Sequence, residues 1–147
     1  GEAYATDIVS NARAFAGALA AEGFDVLAES RGYTASHQVL TRHGELDSGA
    51  GAKAAQRLEE AGIITNMNML PGDTKAMTPS GLRLGVQELT RVGFSNDDME
   101  EVASFYARVL LRGEDPAAVR ADVHALKQQR QTIRYCFNED ERSGYPE

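Results

Sequence analysis

The chain has 147 residues, of which 42% are apolar and 25% are charged, so it is long enough to bury the core of one domain. Its 15 basic and 22 acidic residues give a net charge of −7, and nonspecific binding to nucleic acid, which needs a basic surface, is therefore not expected. No stretch approaches the roughly 18 consecutive apolar residues of a membrane span, and no secretory signal pattern opens the chain. We therefore expect a cytoplasmic protein with no membrane partner.

The residue inventory also argues against disulfide and metal chemistry. The sequence has a single cysteine, Cys136, which has no partner for an intrachain disulfide. The three histidines, His37, His43 and His124, show neither a helical i,i+4 pair nor the HExxH pattern that binds zinc. We expect no metal site.

The first half of the chain predicts a helix, two strands and a second helix. Apolar residues at helical spacing extend from a cap at Thr6 or Asp7 to about Glu22. GFDVLAES then indicates a short strand, and SHQVLT predicts another after the turn RGY. The second helix is expected between a cap at Ser48 and a stop at Gly62.

The middle of the chain predicts a short strand, an irregular loop and a longer strand. IIT, at residues 63–65, is the candidate short strand. The segment NMNMLPGDTKAMTPSG follows it as a loop rich in turn residues. The longer strand contains Arg83.

Two helices complete the predicted order of elements. Ser95 and Asp98 have the spacing of a capping box at the start of the first one. Asp115, followed by Pro116, begins the second, which is expected to continue to about Arg134.

Together these elements predict an α+β fold, a small and mostly antiparallel sheet with helices packed on one face. We expect residues 1–134 to form this domain and residues 135–147 to form an acidic tail that is partly disordered. The second face of the sheet would then be free to contact another domain.

The segment TPSGLRLG places one arginine between two leucines. As a strand it would direct both leucines to the core and Arg83, flanked by Gly81 and Gly85, to the opposite face. The glycines would leave space beside a guanidinium whose planar fork of donors matches a carboxylate or a phosphate. The alternative interpretation is a surface arginine in a structural ion pair.

From Tyr4 to Leu110 the motifs resemble, in order, the C-terminal small domain of serine hydroxymethyltransferases, fold-type I enzymes that use pyridoxal 5′-phosphate. The similar segments are YATDIVSNARAFAGALAAEGFDV, KAAQRLEEAGIITNMN and, above all, SGLRLGVQELTRVGF. The length of the last match makes the resemblance specific. The segment after Leu111 matches the family poorly.

The resemblance implies roles for two side chains. In the family the arginine of the SGLRLG motif binds the α-carboxylate of the amino-acid substrate, and Arg83 occupies that position. A bidentate contact of this kind orients the bound amino acid and contributes roughly 1.5–3 kcal/mol. The second asparagine of the family's Asn-Lys-Asn turn lies near the folate ring, and Asn68 occupies that position.

The sequence departs from the family pattern around Asn68 and around one histidine. Met67 replaces the usual lysine between the asparagines, and the loop that follows is one residue shorter. An asparagine that only satisfies loop backbone groups is therefore the alternative to a tetrahydrofolate contact. His37 matches a family histidine, but Ala35 and Ser36 replace its acidic and amide neighbours, so we assign it no role.

The attachment site of the cofactor is missing from the sequence. In the family a lysine of the large domain holds pyridoxal 5′-phosphate as a Schiff base, and none of the large-domain motifs occurs here. Lys53, Lys75 and Lys127 lie in polar segments that would not lower the pKa of an amine. We therefore expect the chain to be inactive alone, either as a fragment of a longer enzyme or as a small subunit that completes a site on a separate large subunit.

Three functions remain open. The leading one is a component of an enzyme that transfers one carbon between serine and glycine with pyridoxal 5′-phosphate and tetrahydrofolate. The second is a component of a folate-independent threonine aldolase or transaldolase, which fits Met67. The third is a noncatalytic binding or regulatory module that keeps the fold without an active partner.

Overall fold

The structure is a computed structural model that describes residues 1–135, so the acidic tail beyond its first residue lies outside the described residues. The elements follow the predicted order with one added short helix, α3. The helices are α1 (Glu2–Glu22), α2 (Ala50–Glu60), α3 (Gln87–Arg91), α4 (Met99–Leu110) and α5 (Pro116–Gln128), and the strands are β1 (Asp25–Val26), β2 (Gln38–Arg42), β3 (Asn66–Asn68) and β4 (Gly81–Gly85). Within this part of the chain, no helix combines the length and the apolar character needed to cross a lipid bilayer.

The four strands form one antiparallel sheet in the order β1-β2-β4-β3. Helices α1 and α2 pack against the sheet, and α4 packs against both of them. The core between helices and sheet includes Phe15 and Leu19 of α1, Leu58 of α2, Leu82 of β4 and Met99 of α4. This arrangement confirms the predicted α+β fold with helices on one face.

Capping contacts confirm two of the predicted helix starts. Ser95 and Asp98 form a capping box, in which the Asp98 carboxylate accepts the Ser95 backbone N–H at 2.8 Å, and a single 3-10 turn then leads into α4. At α5, the Asp115 carboxylate accepts the backbone N–H of Ala117 at 3.1 Å, and Pro116 is the first helical residue. Both caps satisfy backbone donors that have no partner inside the helix.

The other two helix starts differ from the prediction. Helix α1 begins at Glu2, so Thr6 and Asp7 lie inside it, and the Thr6 hydroxyl donates to the Glu2 carbonyl at 3.0 Å instead of capping the helix. Helix α2 begins one residue later than a Ser48 cap implies. Gly49, with φ 72°, holds the N-cap position, while Ser48 Oγ accepts the first helical N–H at 3.3 Å.

The prediction of a strand at residues 63–65 is wrong. Ile63 closes the turn that follows α2, because its N–H donates to the Leu58 carbonyl at 2.9 Å, and Ile64 is 89% exposed. The strand is the following segment, Asn66–Asn68, which pairs with β4. Because the turn after α2 takes up these residues, the strand begins only at Asn66.

Helix α5 ends at Gln128, before the predicted end near Arg134. The chain then turns back, since the Arg130 guanidinium pairs with the Asp98 carboxylate and the Arg134 N–H donates to the Arg91 carbonyl at 2.7 Å. These contacts join segments that are distant in sequence, so helical spacing does not predict them. The proposed domain boundary after residue 134 stays a prediction.

Gly51 marks the closest approach of α2 to the sheet. A Cβ at Gly51 would lie closer than 3.0 Å to backbone atoms of Gly81 in β4. Because this contact involves main chain on both sides, we expect Gly51→Ala to lower the free energy of unfolding by about 1–3 kcal/mol. Urea unfolding of the chain measures the change.

Gly17→Ala is the matched control for Gly51→Ala. A Cβ at Gly17, in α1, would meet no heavy atom within 4 Å. Alanine at this position should raise the free energy of unfolding by about 0.5–1 kcal/mol, because it restricts the unfolded chain and favours the helix. A loss of stability at both positions, or at neither, would contradict the close approach at Gly51.

Candidate functional site

The uncovered face of the sheet brings Arg83 and Asn68 together. Residues that pair directly across antiparallel strands project to the same face, and Arg83 pairs with Leu40 of β2 and with Asn66 of β3. Asn68 lies two residues further along β3 and therefore projects to that face too. The structure thus places both predicted site residues on neighbouring strands of one face.

Arg83 is exposed, whereas Leu82 and Leu84 on either side of it are buried, which confirms the predicted alternation. Within residues 1–135 the Arg83 guanidinium has no hydrogen-bond or ion-pair partner. On the same face, by contrast, Arg42 pairs with the Asp25 carboxylate at 3.3 Å. The structural ion pair considered as an alternative for Arg83 is therefore not formed in the described part of the chain.

The expected space on both sides of Arg83 is partly filled. A Cβ at Gly81 would lie closer than 3.0 Å to the side chain of Leu70, which is only 3% exposed. Leu70 thus covers Gly81 on the face that carries Arg83. On the other side, the flexible side chain of Gln87 lies next to exposed Gly85. The prediction of open space is wrong at Gly81, because a residue distant in sequence occupies it.

Asn68 is half-buried, and its Nδ2 donates to the backbone carbonyl of Met69 at 2.6 Å. The amide donor therefore serves the loop backbone, as the alternative interpretation of this residue expected. The contact engages only the nitrogen of the side-chain amide. The role of Asn68 toward a folate stays a prediction.

Two aspartates that the sequence analysis did not single out hold the loop beside the site. Asp73 Oδ2 accepts the N–H of Leu70 at 2.8 Å and the N–H of Ser80 at 3.0 Å, and Asp73 Oδ1 accepts the N–H of Asp47 at 2.7 Å. Asp47 in turn accepts the N–H and hydroxyl groups of Thr74 at 2.8 and 2.7 Å. The turn sequence PGD at 71–73 was the available signal, since aspartate commonly binds backbone groups in turns.

Hydrogen bonding to the charged forms explains the acidity of both carboxylates. The hydroxyl and N–H of Thr74, together with the N–H of Lys75, lower the pKa of Asp47. Desolvation by itself would raise the pKa of Asp73. The hydrogen bonds donated by the N–H groups of Leu70, Ser80 and Asp47 and by the Ser80 hydroxyl outweigh this effect and hold the pKa well below its usual range. Both groups are therefore anions at neutral pH.

His43 is a packing residue at the end of β2. Its Nε2 lies 2.8 Å from the Thr41 hydroxyl, and its ring makes an edge contact with Phe24. Burial lowers the pKa of His43 to about 4, against a smaller opposing effect of the Asp25 carboxylate. The ring is therefore neutral at pH 7, while His37 and His124 are exposed.

The lysines of this chain do not fit a cofactor attachment site. Lys53 in α2, Lys75 in the β3–β4 loop and Lys127 in α5 are all exposed. An amine in water lacks the desolvation that makes it an effective nucleophile at neutral pH. Residues 1–135 also contain no group of three His, Cys, Asp or Glu side chains that could hold a metal ion.

The sheet is antiparallel, carries helices on one face and presents an unpaired arginine on the other. This is the architecture implied by the resemblance to the small domain of a fold-type I enzyme. The family model for serine hydroxymethyltransferase matches residues 2–106. The chain belongs to the serine hydroxymethyltransferase family.

Similar proteins with this name occur in archaea. The serine hydroxymethyltransferase of Thermococcus kodakarensis is 54% identical over 140 residues, which are 94% of this chain and 32% of the relative. The Thermoplasma acidophilum protein of the same name is 44% identical over 147 residues, 99% of this chain and 34% of the relative. The chain thus spans about a third of the length of these relatives.

A solved structure of L-threonine transaldolase from Pseudomonas fluorescens is also similar. It superposes with a TM-score of 0.76 at 35% identity, over 86% of this chain and 28% of the transaldolase. The similarity therefore extends to structure as well as sequence.

The family model ends at residue 106, which agrees with the poor family match expected after Leu111, although the alignments with relatives extend further. The archaeal relatives match 94% and 99% of the chain, and these shares cannot be reached without residues beyond that point. The three segments that carried the resemblance in the sequence analysis all lie before Leu111, and helix α5 lies beyond it.

His43 gives the chain a predictable dependence of stability on pH. Its pKa is about 4 when folded and about 6.5 when unfolded, so protonation favours the unfolded chain as the pH falls. The stability due to neutral His43 is complete above about pH 6.5 and is lost toward pH 4, by up to about 3 kcal/mol. His43→Gln should remove this part of the decline in urea unfolding measured between these pH values.

His124→Gln is the control, because His124 is exposed on α5. This variant should keep the pH dependence of the unsubstituted chain. If His43→Gln also kept this pH dependence, His43 would not be held neutral in the folded protein.

Proposed function

We propose that this chain is the small domain, or a small subunit, of a pyridoxal 5′-phosphate-dependent enzyme of the serine hydroxymethyltransferase family, and that Arg83 binds the carboxylate of the amino-acid substrate. One observation carries this proposal. The Arg83 guanidinium is exposed on the uncovered sheet face and has no hydrogen-bond or ion-pair partner within residues 1–135. Its donors are therefore available to an anion.

The chemistry of the guanidinium favours a carboxylate as that anion. Its planar fork donates two parallel hydrogen bonds to a carboxylate, which fixes the orientation of the ligand as well as its position. The buried side chains of Leu82 and Leu84 anchor the strand that carries Arg83 to the core. Leu70 limits the space along the strand on the Gly81 side. These features support a site that binds a small acid in one orientation.

A large domain or subunit is the proposed partner. The chain spans about a third of its relatives' length, and its three lysines are exposed and do not fit the attachment of the cofactor. Pyridoxal 5′-phosphate, bound to that partner, would supply the electron sink for breaking a bond of the amino acid. This chain would contribute the residues that hold and orient the substrate.

Transfer of one carbon between serine and glycine with tetrahydrofolate is the proposed reaction. Its support is the family, whose similar members are named serine hydroxymethyltransferase over nearly the whole of this chain. Asn68 is the proposed folate contact. Its position on the Arg83 face supports this role, and its side-chain oxygen remains available because the contact with Met69 uses only Nδ2.

A folate-independent transaldolase reaction is the second candidate. Two observations favour it: Met67 stands between the two asparagines of β3, and the L-threonine transaldolase structure is similar over 86% of this chain. Both candidates need the same carboxylate contact. They differ in the acceptor: a folate takes up the one-carbon fragment in one case, and an aldehyde takes up the amino-acid fragment in the other.

Arg83→Lys tests the carboxylate contact in the enzyme assembled with its large domain. Lysine keeps the positive charge but loses the bidentate fork. The dissociation constant for serine should rise by about 10- to 100-fold, as expected for the loss of roughly 1.5–3 kcal/mol. Cofactor content should be unchanged. Serine titration followed by the visible absorbance of the bound cofactor measures both quantities.

Arg42→Lys is the matched control, because Arg42 lies on the same face but already pairs with Asp25. Its serine affinity should change by less than about twofold, because the Arg42 guanidinium is already engaged by Asp25 and is not part of the proposed carboxylate contact. Equal serine affinity in the Arg83 and Arg42 variants would contradict the proposed role of Arg83. Failure of the unsubstituted chain to assemble with a large domain would favour the noncatalytic module instead.

The acceptor distinguishes the two candidate reactions. With a tetrahydrofolate acceptor, serine consumption by the assembled enzyme should depend on added tetrahydrofolate, and Asn68→Ala should raise the KM for the folate more than the KM for serine. Both values come from initial rates of serine cleavage. Threonine turnover that needs an added aldehyde and ignores tetrahydrofolate would instead identify the transaldolase reaction.

A further inference from the structure

The β3–β4 loop, residues 69–80, separates the two strands that carry Asn68 and Arg83. Its residues form no helix or strand, and several of its side chains are exposed, including Met69 and Met77. A loop of this length does not by itself hold its ends in one arrangement. Specific contacts must therefore fix the loop against the sheet.

Asp73 joins the two ends of this loop by hydrogen bonds. Its Oδ2 accepts hydrogen bonds from the Leu70 N–H at 2.8 Å, the Ser80 N–H at 3.0 Å and the Ser80 hydroxyl at 2.8 Å. Leu70 follows β3, and Ser80 directly precedes β4. One carboxylate oxygen thus holds the exit of β3 beside the entry of β4.

Asp47 makes the arrangement reciprocal. Its N–H donates to Asp73 Oδ1 at 2.7 Å, and its carboxylate accepts the N–H groups of Thr74 and Lys75, both at 2.8 Å, and the Thr74 hydroxyl at 2.7 Å. Asp47 lies between β2 and α2, so these bonds tie the loop to a second segment of the chain. We call Asp47 and Asp73 together the carboxylate clasp.

Leu70 connects the clasp to the candidate site. Its N–H is bound by Asp73, and its side chain covers Gly81 on the sheet face that carries Arg83. Gly81 and Arg83 are two residues apart on β4 and project to the same face. Leu70 therefore forms a wall beside the guanidinium, and the clasp fixes the backbone of that wall.

We propose that Asp73, supported by Asp47, is a positioning residue that holds Leu70 against Gly81 and so restricts the substrate at Arg83 to one orientation. This inference rests on the proposed function of Arg83. Neither aspartate touches the substrate in this proposal. Their effect passes through Leu70, which narrows the space in which the carboxylate can bind.

Asp73→Asn and Asp47→Asn form a matched pair, since each removes one negative charge without a change in shape. Asparagine at 47 can keep every contact, because its oxygen accepts the two N–H groups and its amide donates to the Thr74 hydroxyl. Asparagine at 73 cannot, because both positions of its carboxylate face N–H donors, and the amide nitrogen must face one of them. Replacing aspartate by asparagine should therefore loosen the loop at position 73 but not at position 47.

The assembled enzyme provides two readouts. In Asp73→Asn, amide hydrogen exchange of peptides from residues 69–80 should be faster, and the KM for serine should rise by about tenfold with kcat changed less than about twofold. In Asp47→Asn both quantities should stay within about twofold of the unsubstituted enzyme. Faster exchange in Asp73→Asn with an unchanged KM would show a purely structural clasp and would overturn the positioning role.

Leu70→Ala keeps the proposal testable if Asp73→Asn fails to assemble. It removes the wall while the backbone contact to Asp73 remains, so it should raise the KM for serine by a similar factor without faster exchange at Ser80. An unchanged KM in Leu70→Ala would also overturn the proposal. Absence of serine binding by the unsubstituted assembly would instead contradict the proposed function, while the exchange experiment would still measure the clasp.

Discussion

Side chains of strand β4 alternate between the two faces of the sheet, so one face of the strand belongs to the core and the other to the candidate site. Leu82 and Leu84 enter the helix-covered core, and Arg83 between them is left on the other face. A slip of one residue would bury the guanidinium and expose both leucines, so the buried face determines the register of the strand. The pairing of β4 with β2 and β3 then decides which residues stand around Arg83.

Several arginines of the chain are engaged by its own carboxylates. Arg42, Arg108, Arg112 and Arg130 each pair with a carboxylate of the chain itself. Arg83 has no such partner in the described residues, although the protein carries an excess of acidic groups. An exposed guanidinium in such a chain costs little while it is hydrated, and it remains free to bind an external anion.

The loop beside the site shows how carboxylates can organise a backbone without a cationic partner. Asp47 and Asp73 accept hydrogen bonds from main-chain N–H groups and hydroxyls, which stabilise their charged forms. The loop thereby gains a defined path although it has no regular secondary structure. A long connection can in this way present a side chain, Leu70, at a fixed place on the sheet face.

Local patterns in the sequence determined the order of the elements, the capping box at Ser95, the cap at Asp115 and the outward direction of Arg83, because each depends on neighbours within a few residues. Only the tertiary structure decided that β3 is Asn66–Asn68, that α5 ends at Gln128 and that Leu70 covers Gly81. These features depend on pairing and packing between distant segments. Periodicity along one segment carries no information about the residues that a distant segment brings against it.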